Sequence, residues 1–79
     1  MAIFEAGRVC RKTAGLEAGK LCIALGKAEK GMVEVVGPNV KKSRANIHHL
    51  EPLPNTVSAG KNTTQEEAAE ALKKEGLIL

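Results

Sequence analysis

Cys10, Cys22, His48 and His49 are the residues of this chain best suited to binding a metal or acting as nucleophiles. A zinc site needs ligands that converge on one ion, and its cysteines are usually spaced Cys-x-x-Cys. The chain has no such pair, and adjacent histidines on an extended backbone point to opposite faces. Nothing in the sequence indicates a base held by an orienting third group, as a Cys–His nucleophile pair requires. We therefore predict that the thiols are small core residues and that the protein has no cofactor.

Catalysis of other kinds is also disfavoured. The glutamates are scattered along the chain, with no spacing that would place an acid, a base and a nucleophile together. A chain of 79 residues forms about one small domain, which leaves no second lobe to enclose a substrate. We predict a protein that is not an enzyme and that has no small-molecule substrate.

Basic residues give the stronger indication of function. The formal net charge is +3, and residues 1–52 carry nine Lys or Arg against five Glu, whereas residues 61–79 carry three against four. The excess positive charge therefore coincides with the part of the chain that is predicted to fold, which suits a polyanion such as RNA. Many basic domains bind no nucleic acid, so charge alone does not decide the question.

The elements that must position these residues are predicted to be short strands. Leu21 to Leu25 is an apolar run, and residues 32–36 are rich in β-branched side chains, so the two predict a hairpin. Gly37-Pro38-Asn39 is typical of a turn that starts another strand at Val40, and residues 8–12 predict a strand upstream. Several short strands with tight glycine turns over about fifty residues indicate a small barrel.

A change of composition divides the chain. Residues 55–62 are typical of a linker, and Thr63-Thr64-Gln65-Glu66 is a capping-box pattern that precedes a helix predicted over residues 65–75. We predict a barrel at 1–54, a linker at 55–62 and a helical tail at 63–79. A helix of this length is marginal alone, so it either docks weakly on the barrel or frays until a partner holds it. Neither a membrane span nor an export signal is apparent, so we expect a cytoplasmic protein without a membrane partner.

Two blocks of sequence resemble a known family. GRVC, KTAG and EAGK precede an apolar strand, as in the KOW motif, and the series GRVCRKTAGLEAGKLC, VVGP and RANIHHLEP resembles the family of large-subunit ribosomal protein fourteen of the archaeal and eukaryotic type. The likeness covers roughly residues 5 to 54. This chain departs from the family pattern at Arg11, where an apolar strand residue is usual, and at Ala45, where a cysteine is usual.

The resemblance implies a mainly β fold, a small SH3-like barrel with a KOW motif followed by a short C-terminal helix. It also implies a structural constituent of the large ribosomal subunit, with large-subunit ribosomal RNA and neighbouring ribosomal proteins as partners. A KOW-type RNA-binding module of a translation or transcription factor is the alternative. The candidate RNA contacts are Arg8, Arg11, Lys12, Gly19, Lys20, Lys41, Lys42, Arg44, His48 and His49. Because only Phe4 is aromatic, we expect recognition of RNA shape and backbone without base-specific contacts.

Overall fold

The computed structural model describes residues 4–78, which form one antiparallel sheet and a C-terminal helix. The strands are β1 (Arg8–Lys12), β2 (Leu21–Ala24), β3 (Met32–Gly37), β4 (Val40–Asn46) and β5 (Leu50–Thr56). A 3-10 helix, Ile47–His49, joins β4 to β5, and helix α1 spans Gln65–Lys74. The spatial order of the strands is β4-β3-β2-β1-β5. The prediction of a mainly β fold, a small barrel-like domain followed by a short helix, is confirmed.

Alternate side chains of the strands pack into two separate clusters. Cys22 and Ala24 lie in the barrel cluster, whereas Ile23 and Leu25 lie in the helix cluster on the other face of the sheet. The barrel cluster consists of Cys10, Cys22, Ala24, Val33, Val35, Val40, Ala45 and Leu50. The sole aromatic residue, Phe4, packs against this cluster. Small aliphatic side chains thus fill most of the barrel interior.

The helix cluster consists of Val9, Ile23, Leu25, Val36, Ala68 and Leu72. Ala68 and Leu72 come from α1, and both are fully buried. Spaced four residues apart, they lie on one face of the helix, which covers the outer apolar face of the sheet. The helix therefore shares a core with the strands, because burying two α1 side chains there stabilises both layers.

The ends of α1 are capped by its own sequence. The Thr64 hydroxyl accepts from the Glu67 backbone N–H at 3.2 Å, and the Glu67 carboxylate accepts from the Thr64 N–H at 3.1 Å. The predicted capping box at Thr63 and Glu66 was thus wrong by one residue, since Thr63–Glu66 and Thr64–Glu67 have the same spacing along the sequence. Gly76, with a φ of 74°, follows the helix in the left-handed conformation typical of a helix C-terminus.

Strand β5 runs to Thr56, two residues beyond the barrel boundary predicted at residue 54. It is an edge strand, so Pro52 and Pro54, which lack an N–H, do not interrupt an interior ladder. Gly7, just before β1, donates to the Ala24 carbonyl at 2.8 Å and accepts from the Val57 N–H at 2.8 Å. A Cβ atom at Gly7 would collide with the Val57 carbonyl, and the Gly7 φ of 95° also favours glycine. Gly7 therefore lets three segments of backbone meet where β1 begins.

Candidate nucleic-acid interface

The loop between β1 and β2 is closed by backbone hydrogen bonds around two glycines. The Gly19 N–H donates to the Lys12 carbonyl at 2.7 Å, and the Lys12 N–H donates to the Lys20 carbonyl at 2.9 Å. Gly15 and Gly19 have φ values of 82° and 88°. No heavy atom lies within 4 Å of a Cβ built at Gly19, so the backbone conformation, and not lack of space, favours glycine there. The loop presents exposed backbone beside the end of β1.

This loop is fastened to the 3-10 helix, and a groove lies between them. The Thr13 N–H donates to the His49 carbonyl at 2.9 Å, and the Ile47 N–H donates to the Gly31 carbonyl at 3.0 Å. The groove has a volume of about 370 Å³. Its polar lining includes Lys12, Arg44, Asn46 and His49, and we call it the Lys12–Arg44 groove. The fold therefore brings together three of the candidate contacts from three separate elements.

Lys12 and Arg44 differ in how their charges are compensated. The Lys12 ammonium lies 2.9 Å from the Glu17 carboxylate, and its side chain is only 15% exposed. Arg44 is exposed on edge strand β4, directly opposite Glu34 in the β3–β4 register. Within residues 4–78 the Arg44 side chain has no hydrogen bond or ion pair, so its guanidinium is available to a ligand. Arg44 is thus the cation of the groove best placed for a bidentate contact with a phosphate.

Arg8 and Arg11 do not line this groove, and both are engaged by their own chain. The Arg8 guanidinium donates to the Leu53 carbonyl at 3.1 Å and lies 3.6 Å from the Glu5 carboxylate. The Arg11 guanidinium lies 3.3 Å from the Glu51 carboxylate on β5. These contacts give Arg8 and Arg11 a role in holding β1 beside β5.

The other candidate lysines lie elsewhere. Lys41 and Lys42 are exposed where the β3–β4 register shifts, and the Lys42 ammonium donates to the Lys61 carbonyl in the segment that leads to α1. Lys20 is exposed and lines a second cleft, between the glycine loop and the helix. Of the candidate Lys and Arg residues, only Lys12 and Arg44 are therefore brought together in the groove.

The histidines lie in the 3-10 helix, so the assumption of an extended backbone there was wrong. The Asn46 side chain accepts from the His48 N–H at 2.8 Å and caps this helix, which turns the chain between β4 and β5. Both rings are exposed, and His49 alone of the two lines the Lys12–Arg44 groove. Across residues 4–78, no cluster of three or more His, Cys, Asp or Glu side chains is arranged to hold a metal ion.

The two cysteines face each other across β1 and β2, and both are free and fully buried. Burial raises the pKa of Cys10 from an ordinary 9.0 to about 11, although Arg8 opposes the shift. Burial, with the nearby Cys10, raises the pKa of Cys22 to about 12. Because the unfolded chain releases these protons near pH 9 and the folded chain keeps them, the free energy of unfolding falls as pH rises above 9. Their environment is that of inert core thiols, as the sequence predicted.

Sequence reasoning missed Asn46 and Lys73 as residues of the basic surface. Asn46 lines the Lys12–Arg44 groove, and its position just before a turn is a typical capping signal. Lys73 lines the second cleft together with Lys20. Its helical spacing from Ala69 indicated a shared face, but nothing in the sequence indicated which part of the sheet that face meets.

Comparison with known proteins extends the likeness beyond the barrel. No family model matches the chain. It is 43% identical over 82 residues to large ribosomal subunit protein eL14 of Metallosphaera sedula. The aligned region covers 99% of this chain and 85% of that protein. It is 41% identical over 78 residues to the eL14 of Methanococcus vannielii, covering 99% and 100%, and 40% identical over 81 residues to that of Sulfolobus acidocaldarius, covering 98% and 84%. These matches include the helix, and the chain belongs to the family of large ribosomal subunit protein eL14.

Proposed function

We propose that this protein is a structural constituent of the large ribosomal subunit in the cytoplasm, where it binds ribosomal RNA through the Lys12–Arg44 groove. The observation that carries the proposal is the convergence of Lys12, Arg44 and His49 on one groove beside a glycine loop. The three relatives described above are each named as a large ribosomal subunit protein, which supports the same assembly. Neighbouring ribosomal proteins are the second class of partner.

The groove suits the sugar–phosphate backbone of RNA. The Arg44 guanidinium offers parallel N–H donors for a phosphate, and Lys12 adds a second charge across the groove. Glu17 beside Lys12 reduces that second charge, so Arg44 carries the larger share of the attraction. The polar lining offers hydrogen-bond donors from His49 and Asn46 and contains no aromatic ring large enough to stack bases in series. The chemistry favours recognition of RNA shape, with no catalytic role for the groove.

Under this proposal the remaining candidate contacts differ in how directly they act on RNA. Lys20, Lys41 and Lys42 are exposed and add to the electrostatic attraction for RNA. Arg8 and Arg11 act mainly within the protein, through their contacts with β5. Gly19 and His48 contribute shape: the glycine keeps the loop backbone exposed, and the histidine lies in the turn that forms one wall of the groove.

Affinity for protein-free archaeal large-subunit ribosomal RNA tests the role of the groove. Replacing Arg44 with Gln is expected to weaken binding about threefold to tenfold, as the loss of one exposed phosphate contact implies. The salt dependence, plotted as log K against log salt concentration, should also become shallower by about one. Lys74→Gln is the control, because Lys74 lies on the far side of α1 beside Glu67 and Glu70. Equal affinities for Arg44→Gln and the unmodified protein would contradict the assignment.

A further inference from the structure

A second cleft lies between the glycine loop and helix α1. It has a volume of about 620 Å³ and is separate from the Lys12–Arg44 groove. Residues of three segments line it, among them Gly19, Lys20, Pro38, Ala69, Lys73 and Ile78. Three of the lining residues, Ala69, Lys73 and Ile78, come from the part of the chain that the sequence predicted to be a tail.

The docking of the helix builds this cleft. Buried Ala68 and Leu72 hold α1 on the sheet, and the Gln65 side chain donates to the Gly37 carbonyl at 3.1 Å, just before Pro38. Ala69 and Lys73, one turn apart, are thereby directed toward the β3–β4 turn. Beyond the helix, the Leu77 N–H donates to the Leu72 carbonyl at 3.0 Å, which directs the chain back so that Ile78 closes one side.

The two sides of α1 differ in charge. Lys20 and Lys73 stand on facing walls of the cleft, and no acidic residue within 4–78 lines it. Neither ammonium has a hydrogen bond or ion pair within the same range of residues. The groove on the opposite side of the helix is lined by Glu67, Glu70 and Glu75 together with Lys74. A polyanion is therefore attracted to the Lys20–Lys73 side and repelled from the other.

We propose that the cleft binds one unstacked nucleotide of ribosomal RNA, with its flanking phosphates on Lys20 and Lys73 and its base and sugar against the apolar wall. The inference rests on the proposed function and deepens it. The glycine loop contributes Gly15 to the Lys12–Arg44 groove and Gly19 to this cleft, so one RNA strand that follows the loop reaches both. Leu21, Pro38 and Ile78 supply apolar surface that suits the face of a base better than a bare ion.

Two RNA hairpins separate this inference from general RNA binding: one carries a single bulged uridine, and the other is fully paired but otherwise the same. The unmodified protein is expected to bind the bulged hairpin about threefold to tenfold more tightly, since the bulge supplies the phosphate and base contacts together. Lys73→Gln should abolish this preference, and Lys74→Gln, changed at the next residue but facing the acidic groove, should keep it. The amide chemical shift of Ala69, which lines this cleft and not the Lys12–Arg44 groove, should move with the bulged hairpin only.

The outcomes distinguish failure of the inference from failure of the proposed function. A bulge preference that survives Lys73→Gln, or equal binding of the two hairpins with affinity still dependent on Arg44, would overturn the nucleotide site and leave RNA binding intact. Binding of neither hairpin nor large-subunit RNA would overturn both. Lys73 and Lys74 are both exposed, so circular dichroism spectra of the two variants should match that of the unmodified protein. Matching spectra would exclude misfolding as the cause of a lost bulge preference.

Discussion

Replacing Leu72 with Ala tests whether the C-terminal helix is part of the folded core. Leu72 is fully buried between α1 and the sheet, in the same cluster as Val9, Ile23 and Val36. Losing its three outer carbons removes about 2.4 kcal/mol of transfer free energy at about 0.8 kcal/mol per methylene. The cavity left behind raises the expected loss to roughly 3 kcal/mol.

A loss of this size is large for so small a protein. At about 0.05 to 0.15 kcal/mol per residue, a chain of 79 residues has a free energy of unfolding of roughly 4 to 12 kcal/mol. The melting temperature should fall by roughly 12 to 24 °C, at about 4 to 8 °C per kcal/mol. Urea unfolding followed by circular dichroism measures the free energy, and a thermal scan measures the shift.

Leu16 provides a matched control for the same chemical change. It is fully exposed in the β1–β2 loop, so Leu16→Ala should alter the free energy of unfolding by no more than about 0.5 kcal/mol. The reasoning is refuted if Leu72→Ala costs less than about 1 kcal/mol, or if the helix melts in a separate transition while the strands are unaffected. Either result would mean that α1 does not share a core with the sheet.

Two further predictions concern the buried residues Gly7, Cys10 and Cys22. Gly7→Ala should destabilise the protein by at least about 2 kcal/mol more than Gly15→Ala. Both positions have positive φ, but only an alanine at Gly7 would collide with neighbouring backbone. Equal urea midpoints for the two variants would contradict this prediction. Cys10 and Cys22 should not react with a thiol reagent at pH 8 until denaturant is added, and the free energy of unfolding should fall above pH 9 by up to roughly 1.4 kcal/mol per pH unit for each thiol. Rapid labelling of the native protein would show that the thiols are accessible. An unchanged alkaline slope in a Cys22→Ala variant would show that burial does not raise the pKa of Cys22.

Strand positions were predictable because apolar and β-branched residues alternate with glycine turns. The predicted hairpin and the strand after Pro38 are confirmed as β2, β3 and β4. The run from Leu21 to Leu25 has no polar residue, which indicates a strand buried on both faces, and the sequence reasoning did not use this indication. A strand buried on both faces needs a covering layer on each, and α1 is the layer on the outer face of the sheet. The division into a barrel at 1–54, a linker at 55–62 and a tail at 63–79 stays a prediction.

The candidate site was less predictable, because side-chain pairing depends on register. Arg11 meets Glu51 only because the register of β1 and β5 places the two residues directly opposite each other. Lys12 meets Glu17 across a closed loop whose shape depends on positive φ at its glycines. Spacing along the sequence shows neither contact, so basic residues engaged within the chain could not be distinguished from those available to RNA.

Sedimentation of a cell lysate through sucrose gradients tests the central claim most directly, when the fractions are probed for this protein at low and high salt. A phosphate-based contact must weaken as salt rises, so the protein should migrate with the large ribosomal subunit at low salt and be partly released at high salt. Confinement to the light fractions at both salt concentrations would contradict a place in the subunit and would favour a KOW-type module of a translation or transcription factor.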